Sequence, residues 1–187
     1  MMKGIDVSEN NGVVDWQAVA DAGIEFAIVR ASYGKTGRDE MFQQNVAGAH
    51  AAGLKVGAYH YSYALDVDDA AQEAENCRAA IDEAGCLLDL PVWFDMEDAD
   101  GYKHNHGFDF QPDEVTDMCR TFLADIGLDC GVYASLSWFE SYIDWQGLGC
   151  AVWNAQWGDE DDIKGYMWQY TDSLNIGGRF FDGNIIY

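Results

Sequence analysis

Apolar residues fall along this 187-residue chain in two rhythms: short continuous runs, and longer stretches in which they recur every three or four positions. The runs read as strands and the stretches as amphipathic helices. Residues 3–7 (KGIDV), 26–31 (FAIVRA), 55–63 (KVGAYHYSY) and 90–95 (LPVWFD) are the first four strands. The second is nearly all apolar, as a strand covered on both faces should be. Between them, Asp15 offers an N-cap to a short helix closed by Gly23, and Phe42, Val46 and Ala49 mark a helix ending at Gly53. Asp68 is placed to cap a long helix with the apolar face Ala70, Ala74, Cys77, Ile81 and Ala84, stopped by Gly85. Pro112 sits where a first helical residue belongs, followed by the stripe Val115, Cys119, Phe122 and Ile126.

Beyond Gly127 the rhythm shortens. Residues 130–134, 150–156, 166–171 and 180–186 read as strands, with one short helix over 138–143 between them. Strands that alternate with helices predict an α/β fold, a small parallel β/α barrel formed as a single domain over residues 1–187. That length is short for eight full βα units, which typically need about 250 residues, so the last strands are expected to lack helices. A doubly wound open sheet is disfavoured, because no Gly-rich phosphate loop follows any strand.

Charge narrows the function. Ten Lys and Arg stand against 33 Asp and Glu, a net charge of −23. Such a surface repels phosphate backbones and anionic membranes, and it suits a neutral or weakly charged substrate. Aromatic residues make up 14% of the chain, enough to line a groove as well as fill a core. The cysteines Cys77, Cys86, Cys119, Cys130 and Cys150 contain no C-x-x-C spacing. They are expected to be small buried hydrophobes in a chain made in a reducing compartment. No signal peptide or transmembrane run is read. No Cys/His set has zinc spacing, and His104 and His106 are expected to be solvated, so neither a metal nor a cofactor is expected.

Barrel active sites lie at the C-terminal ends of the strands. Acids finish several of them: Asp6 in the first, Asp95 and then Glu97 in the fourth, Asp182 in the last. Asp95 and Glu97 are two apart and so share one face of an extended chain. Two carboxyl groups in one pocket cannot both ionise freely, which yields the acid and the anion that glycosidic cleavage requires. Spacing alone leaves a second reading open, an exposed acidic turn, since Asp98 and Asp100 continue the run.

The sequence resembles the family 25 glycoside hydrolases, the muramidases of bacteria and bacteriophages. Gly4-Ile5-Asp6-Val7-Ser8, Phe26-Ala27-Ile28-Val29-Arg30-Ala31-Ser32, Gly57-Ala58-Tyr59-His60-Tyr61 and Pro91-Val92-Trp93-Phe94-Asp95-Met96-Glu97 carry the likeness, in order. Gly131-Val132-Tyr133, Trp153-Asn154-Ala155-Gln156-Trp157, Trp168-Gln169-Tyr170 and Asp182-Gly183-Asn184 continue it. The resemblance implies an irregular barrel of five βα units and three further strands. It implies hydrolysis of the β-1,4 bond from N-acetylmuramic acid to N-acetylglucosamine in bacterial cell-wall peptidoglycan, by a monomer acting on the wall. It makes Glu97 the proton donor, Asp95 the second catalytic carboxylate, and Asp6 and Asp182 acids that hold Glu97 protonated or orient groups. Residues 98–110, a polar loop, depart from the family's pattern.

Other late-strand residues are candidates for sugar binding. Tyr61 and Tyr63 lie near the end of their strand, with core packing as the alternative; Tyr133, Asn154, Gln156 and Gln169 carry groups suited to hydroxyls and acetamides. Arg30, inside an apolar strand, needs an anionic partner, expected among the site acids. A non-catalytic glycan-binding barrel and a chitinase-like glycosidase are the competing functions. The first has no use for all four acids together, and the second is expected to carry a longer acidic run before its glutamate.

Overall fold

A computed structural model describes residues 1–187. The order is β1 (Met2–Val7), α1 (Trp16–Asp21), β2 (Phe26–Tyr33), a two-residue β3 (Gly37–Arg38), α2 (Phe42–Ala51), β4 (Lys55–Tyr61), α3 (Val67–Ala84) and β5 (Val92–Asp95). It continues with α4 (Tyr102–Asn105), α5 (Pro112–Asp125), β6 (Cys130–Ser135), α6 (Leu136–Ser141), α7 (Trp145–Leu148), β7 (Ala151–Ala155), β8 (Met167–Ile176) and β9 (Arg179–Ile186). Neighbouring strands run β1-β9-β8-β7-β6-β5-β4-β2, and β1 also pairs with β2, so eight strands close into a barrel with β3 appended to β2. Five strands are followed by helices and the last three are not, as the shortened rhythm predicts. No helix is long and apolar enough to cross a membrane.

The parallel arrangement expected from sequence holds from β1 round to β8, and β9 differs. It runs antiparallel to both β8 and β1. The cause is the connection: β8 and β9 are joined by Gly177-Gly178 alone, both at positive φ, and a two-residue turn reverses the chain where a parallel neighbour needs a crossover. Two smaller differences concern helices. The cap of α3 is Asp66, whose side chain accepts from the Asp69 amide at 2.8 Å, not Asp68, which lies in the first turn. The segment 98–110 also holds a turn of helix, α4, within what reads as a polar loop.

The interior separates into two clusters. Alternate residues of the strands, with the apolar faces of the helices, form an outer core of 36 buried side chains. The opposite alternates form a smaller inner cluster of Phe26, Ile28, Leu90, Trp93, Trp153, Met167 and Ile186. These rings fit because glycines stand where facing side chains would collide. A Cβ on Gly4 would lie 2.3 Å from the Phe26 ring, and one on Gly131 would lie 2.6 Å from Trp93 and 2.5 Å from the Ala151 carbonyl oxygen. All five cysteines are free thiols, and burial raises those of Cys77 and Cys119.

The Ala151 carbonyl belongs to a strand backbone and cannot step aside. Gly131→Ala should therefore destabilise the fold by roughly 1–3 kcal/mol, the usual cost of overpacking. Urea unfolding should show a lower midpoint with an unchanged slope; wild-type stability would mean the inner cluster tolerates added volume.

Candidate active site

The inner face of the barrel changes character along each strand. Trp93 is followed two residues on by Asp95, Met167 by Gln169, and Ile186 is preceded by Asn184 and Asp182. Side chains two apart in a strand share a face, so the apolar plug gives way to polar groups toward the C-terminal mouth of the parallel strands. Register then sets the neighbours. Asp6 lies directly across from Asp182 in the β1–β9 pair, and Asp95 stands between Tyr61 of β4 and Tyr133 of β6. Glu97 follows Asp95 just beyond the strand end. All four acids line one cleft of about 370 Å³.

Hydrogen bonds fix the floor of this cleft. Asp6 Oδ2 accepts from Gln169 Nε2 at 3.0 Å and from Asn184 Nδ2 at 2.7 Å. Gln169 Oε1 accepts in turn from the Tyr133 hydroxyl at 3.1 Å and from Trp157 Nε1 at 3.2 Å, and Trp153 Nε1 donates to Asn184 Oδ1 at 2.9 Å. Asn184 emerges as a site residue that the sequence argument left unassigned. Its position two residues after Asp182, on the same strand face, is the signal that could have found it.

Asp6, Asp95, Glu97 and Asp182 are each harder to ionise than an ordinary carboxyl group. Burial is the largest cause for Asp6, followed by the charge of Asp182, while the Asn184 and Gln169 amides oppose the rise. Asp95 is raised well above its usual range by burial and then by Glu97 and Asp6. Glu97 is raised by burial, against which a hydrogen bond with Asp95 and the charge of Lys103 pull downward. Asp182 is pushed up to about 6, again by burial first. From sequence, neighbouring charge is the expected cause and Glu97 the expected proton holder. The structure makes burial the larger cause and raises Asp95 further, because Asp95 is only 5% exposed and its Oδ1 has no hydrogen-bond partner. Burial also raises Tyr59, Tyr61 and Tyr133, which stay protonated as hydroxyl donors.

Of the proposed sugar-binding residues, Tyr61, Tyr133, Gln169 and Arg30 line the cleft. Tyr63 does not. Its ring meets that of Tyr61 at 5.1 Å and lines a neighbouring cleft of about 490 Å³, together with Tyr33 and Tyr102. The two clefts thus lie on either side of a tyrosine ridge. Asn154 and Gln156 are absent from both. Asn154 is fully buried, donating to Asp161 at 2.7 Å, and Gln156 donates to Asp162 at 2.7 Å, so both organise the loop after β7. Arg30 requires a correction of partner: it pairs with Asp39 at 2.9 Å and Glu9 at 3.0 Å, not with any of the four acids. No three His, Cys, Asp or Glu side chains are arranged to hold a metal ion. His104 and His106 are exposed, and His60 is buried with Nδ1 2.8 Å from Ser32 Oγ.

The chain is 31% identical over 183 residues to a protein of Clostridium acetobutylicum named autolytic lysozyme, and 28% identical over 197 residues to lysozyme M1 of Streptomyces globisporus. It spans 52% and 64% of the length of those two relatives. Among solved structures, the CTP1L endolysin superposes with a TM-score of 0.85 at 28% identity, covering all of this chain and 67% of that one. The autolysin LytC of Streptococcus pneumoniae, in complex with a synthetic peptidoglycan ligand, superposes with a TM-score of 0.89 at 22% identity, covering all of this chain and 46% of that one. The sequence signature described as glycosyl hydrolases family 25 matches residues 5–179, and the chain belongs to that family.

Proposed function

We propose that this chain hydrolyses the glycan strand of bacterial peptidoglycan, at the β-1,4 bond from N-acetylmuramic acid to N-acetylglucosamine. The observation that carries the reading is the convergence of Asp6, Asp95, Glu97 and Asp182 on one cleft, although the first and last lie at opposite ends of the sequence. Lysozyme-named relatives support the same bond specificity. Residues 1–187 act as one catalytic domain, as a monomer at the cell wall. The tyrosine ridge and the second cleft beside it suit a polymer, whose sugar rings stack on aromatic faces while the phenol hydroxyls stay wet.

The chemistry follows from the charge of the pair. In this mechanism Asp95 and Glu97 share one proton at working pH; both are harder to ionise than ordinary carboxyl groups and each acts on the other, which suits such sharing. Glu97 is the less buried of the two. Passing the proton to Glu97 and on to the glycosidic oxygen breaks the bond to the anomeric carbon. It leaves negative charge beneath the cation that develops on the sugar. Water supplies hydroxyl to that carbon, and its remaining proton returns to the pair. Tyr61 and Tyr133 flank Asp95 in register, and as neutral phenols they orient the sugar without adding charge.

Glu97→Gln cannot donate the proton, and turnover on purified cell walls should fall by roughly 10²–10⁴-fold. Asp95→Asn should also cripple turnover. Fragments released by the wild type, identified by mass spectrometry, should end in N-acetylmuramic acid; a near-wild-type rate for Glu97→Gln would end this mechanism. Because burial raises both carboxyl groups, the bell of activity against pH should have both limbs above about pH 4, the ordinary carboxyl range.

The acids should also weaken the fold. A carboxyl group harder to ionise in the folded state binds its proton more tightly there than in the unfolded chain. Its contribution is therefore lost as pH rises through the interval between the two values. For Asp182 that interval runs from the ordinary aspartate range to about 6. Asp182→Asn should melt at a higher temperature than wild type at pH 7, with the difference closing by about pH 4. Equal melting temperatures at pH 7 would show that Asp182 carries no such strain.

A further inference from the structure

The largest charged side chain hidden in this protein has no part in the proton transfers proposed above. Lys103 is 1% exposed, in the short helix α4. Burying a lysine is costly, and the chain invests structure in doing so. Asp98 accepts from the Lys103 amide at 2.7 Å and the His104 amide at 3.1 Å, while Asp100 accepts from the Tyr102 amide at 3.1 Å. The acidic run after Glu97 therefore caps the helix that carries the lysine inward.

The ammonium donates to the carbonyl of Ser62, and the Ser62 amide donates to the Asp95 carbonyl at 3.0 Å. Lys103 is thus anchored to the backbone immediately behind the carboxylate pair. It joins none of the chain's direct ion pairs. Around it stand Glu73 of α3, Asp95, and the capping acids Asp98 and Asp100, with Cys119 of α5 beyond. Glu73 is fully buried. One of its oxygens accepts from the Tyr63 amide at 2.7 Å, and the other lies 3.5 Å from His60 Nε2. Asp95 Oδ1 has no hydrogen-bond partner of its own, and the charge of Lys103 acts on both Asp95 and Glu97.

We infer that Lys103 is a positioning residue for hydrolysis, an internal cation fixed behind Asp95 and Glu97 that keeps the pair in its one-proton state. The inference rests on the functional reading above and adds to it the source of the pair's charge balance. Without a cation, two buried acids beside further acids would keep both protons, and the anion beneath the sugar would be lost. With it, one proton leaves and the other stays. Both Asp95 and Glu97 are lowered by Lys103 against the rise that burial imposes, in agreement with the geometry.

The test is the pH profile. Lys103→Met keeps the length and removes the charge, so both limbs of the activity bell should move to higher pH, by about one unit. Lys103→Arg should leave them near the wild-type positions. A folded Lys103→Met enzyme with reduced turnover but unmoved limbs would assign Lys103 a merely structural role and overturn the inference. Should Lys103→Met fail to fold, reciprocity supplies a second measurement on an intact lysine. At the alkaline pH where a lysine titrates, both acids are ionised, so Asp95→Asn and Glu97→Gln should each lower the titration midpoint of Lys103. That midpoint is read by NMR of lysine labelled at the ε-carbon, with the signal assigned by its absence in Lys103→Arg. A midpoint unchanged in both variants would also overturn the inference. This second reading involves no substrate, so it stands or falls separately from the peptidoglycan assignment.

Discussion

Five residues of the first strand are tied to five of the last, from Met2 opposite Ile186 to Asp6 opposite Asp182, and this seam serves two purposes. It closes the barrel, removing the edges that an open sheet would expose. It also sets two carboxyl groups face to face, because antiparallel register fixes which residues are opposed. Every later feature of the site depends on it. Gln169 and Asn184 are oriented by the Asp6 that the seam holds, and Tyr133, Trp153 and Trp157 are oriented by those two amides.

A closed barrel of this size has little room inside, and the chain divides that room by polarity. The lower part is filled by Phe26, Trp93, Trp153 and Met167, fitted around Gly4 and Gly131. The upper part is given to acids. Desolvating them makes them hold protons more tightly, which is the property a general acid needs. The same walls therefore supply packing at one level and proton affinity at the next. The half-buried charge of Arg30 and the buried charge of Lys103 answer different acids: Arg30 is committed to Glu9 and Asp39, while Lys103 stands behind Asp95.

Much of this was legible in the sequence because strand alternation is a local signal. Phe26-Ala27-Ile28-Val29 reads as a strand covered on both sides, and the two-residue spacing of Asp95 and Glu97 places them on one face of an extended chain. What was not legible depends on contacts between distant segments. The direction of β9 follows from the shortness of the Gly177-Gly178 turn, which the strand pattern does not register. The cap at Asp66 lay two residues from the aspartate expected, within an acidic stretch where Asp66, Asp68 and Asp69 look alike. Arg30 required an anion, but nothing local distinguishes Asp39 from Asp6. Asn154 and Gln156 sit late in their strand, yet their side chains are spent on Asp161 and Asp162. The helix that carries Lys103 is hidden because its caps look like a solvated acidic run.

The seam between β1 and β9 also dictates an order of events. Asn184 reaches Asp6 across a sequence separation of 178. A ribosome adds the first strand of the barrel long before the last one. Until β9 emerges, β1 has a partner on one side only, and Asp6 has neither its opposing acid nor its two amide donors. Closure is thus a long-range, high-contact-order step, slow compared with the local βα units that precede it. A growing chain carries the carboxylate pair long before it owns a finished cleft, so catalytic competence arrives with the last strand and not gradually along the way.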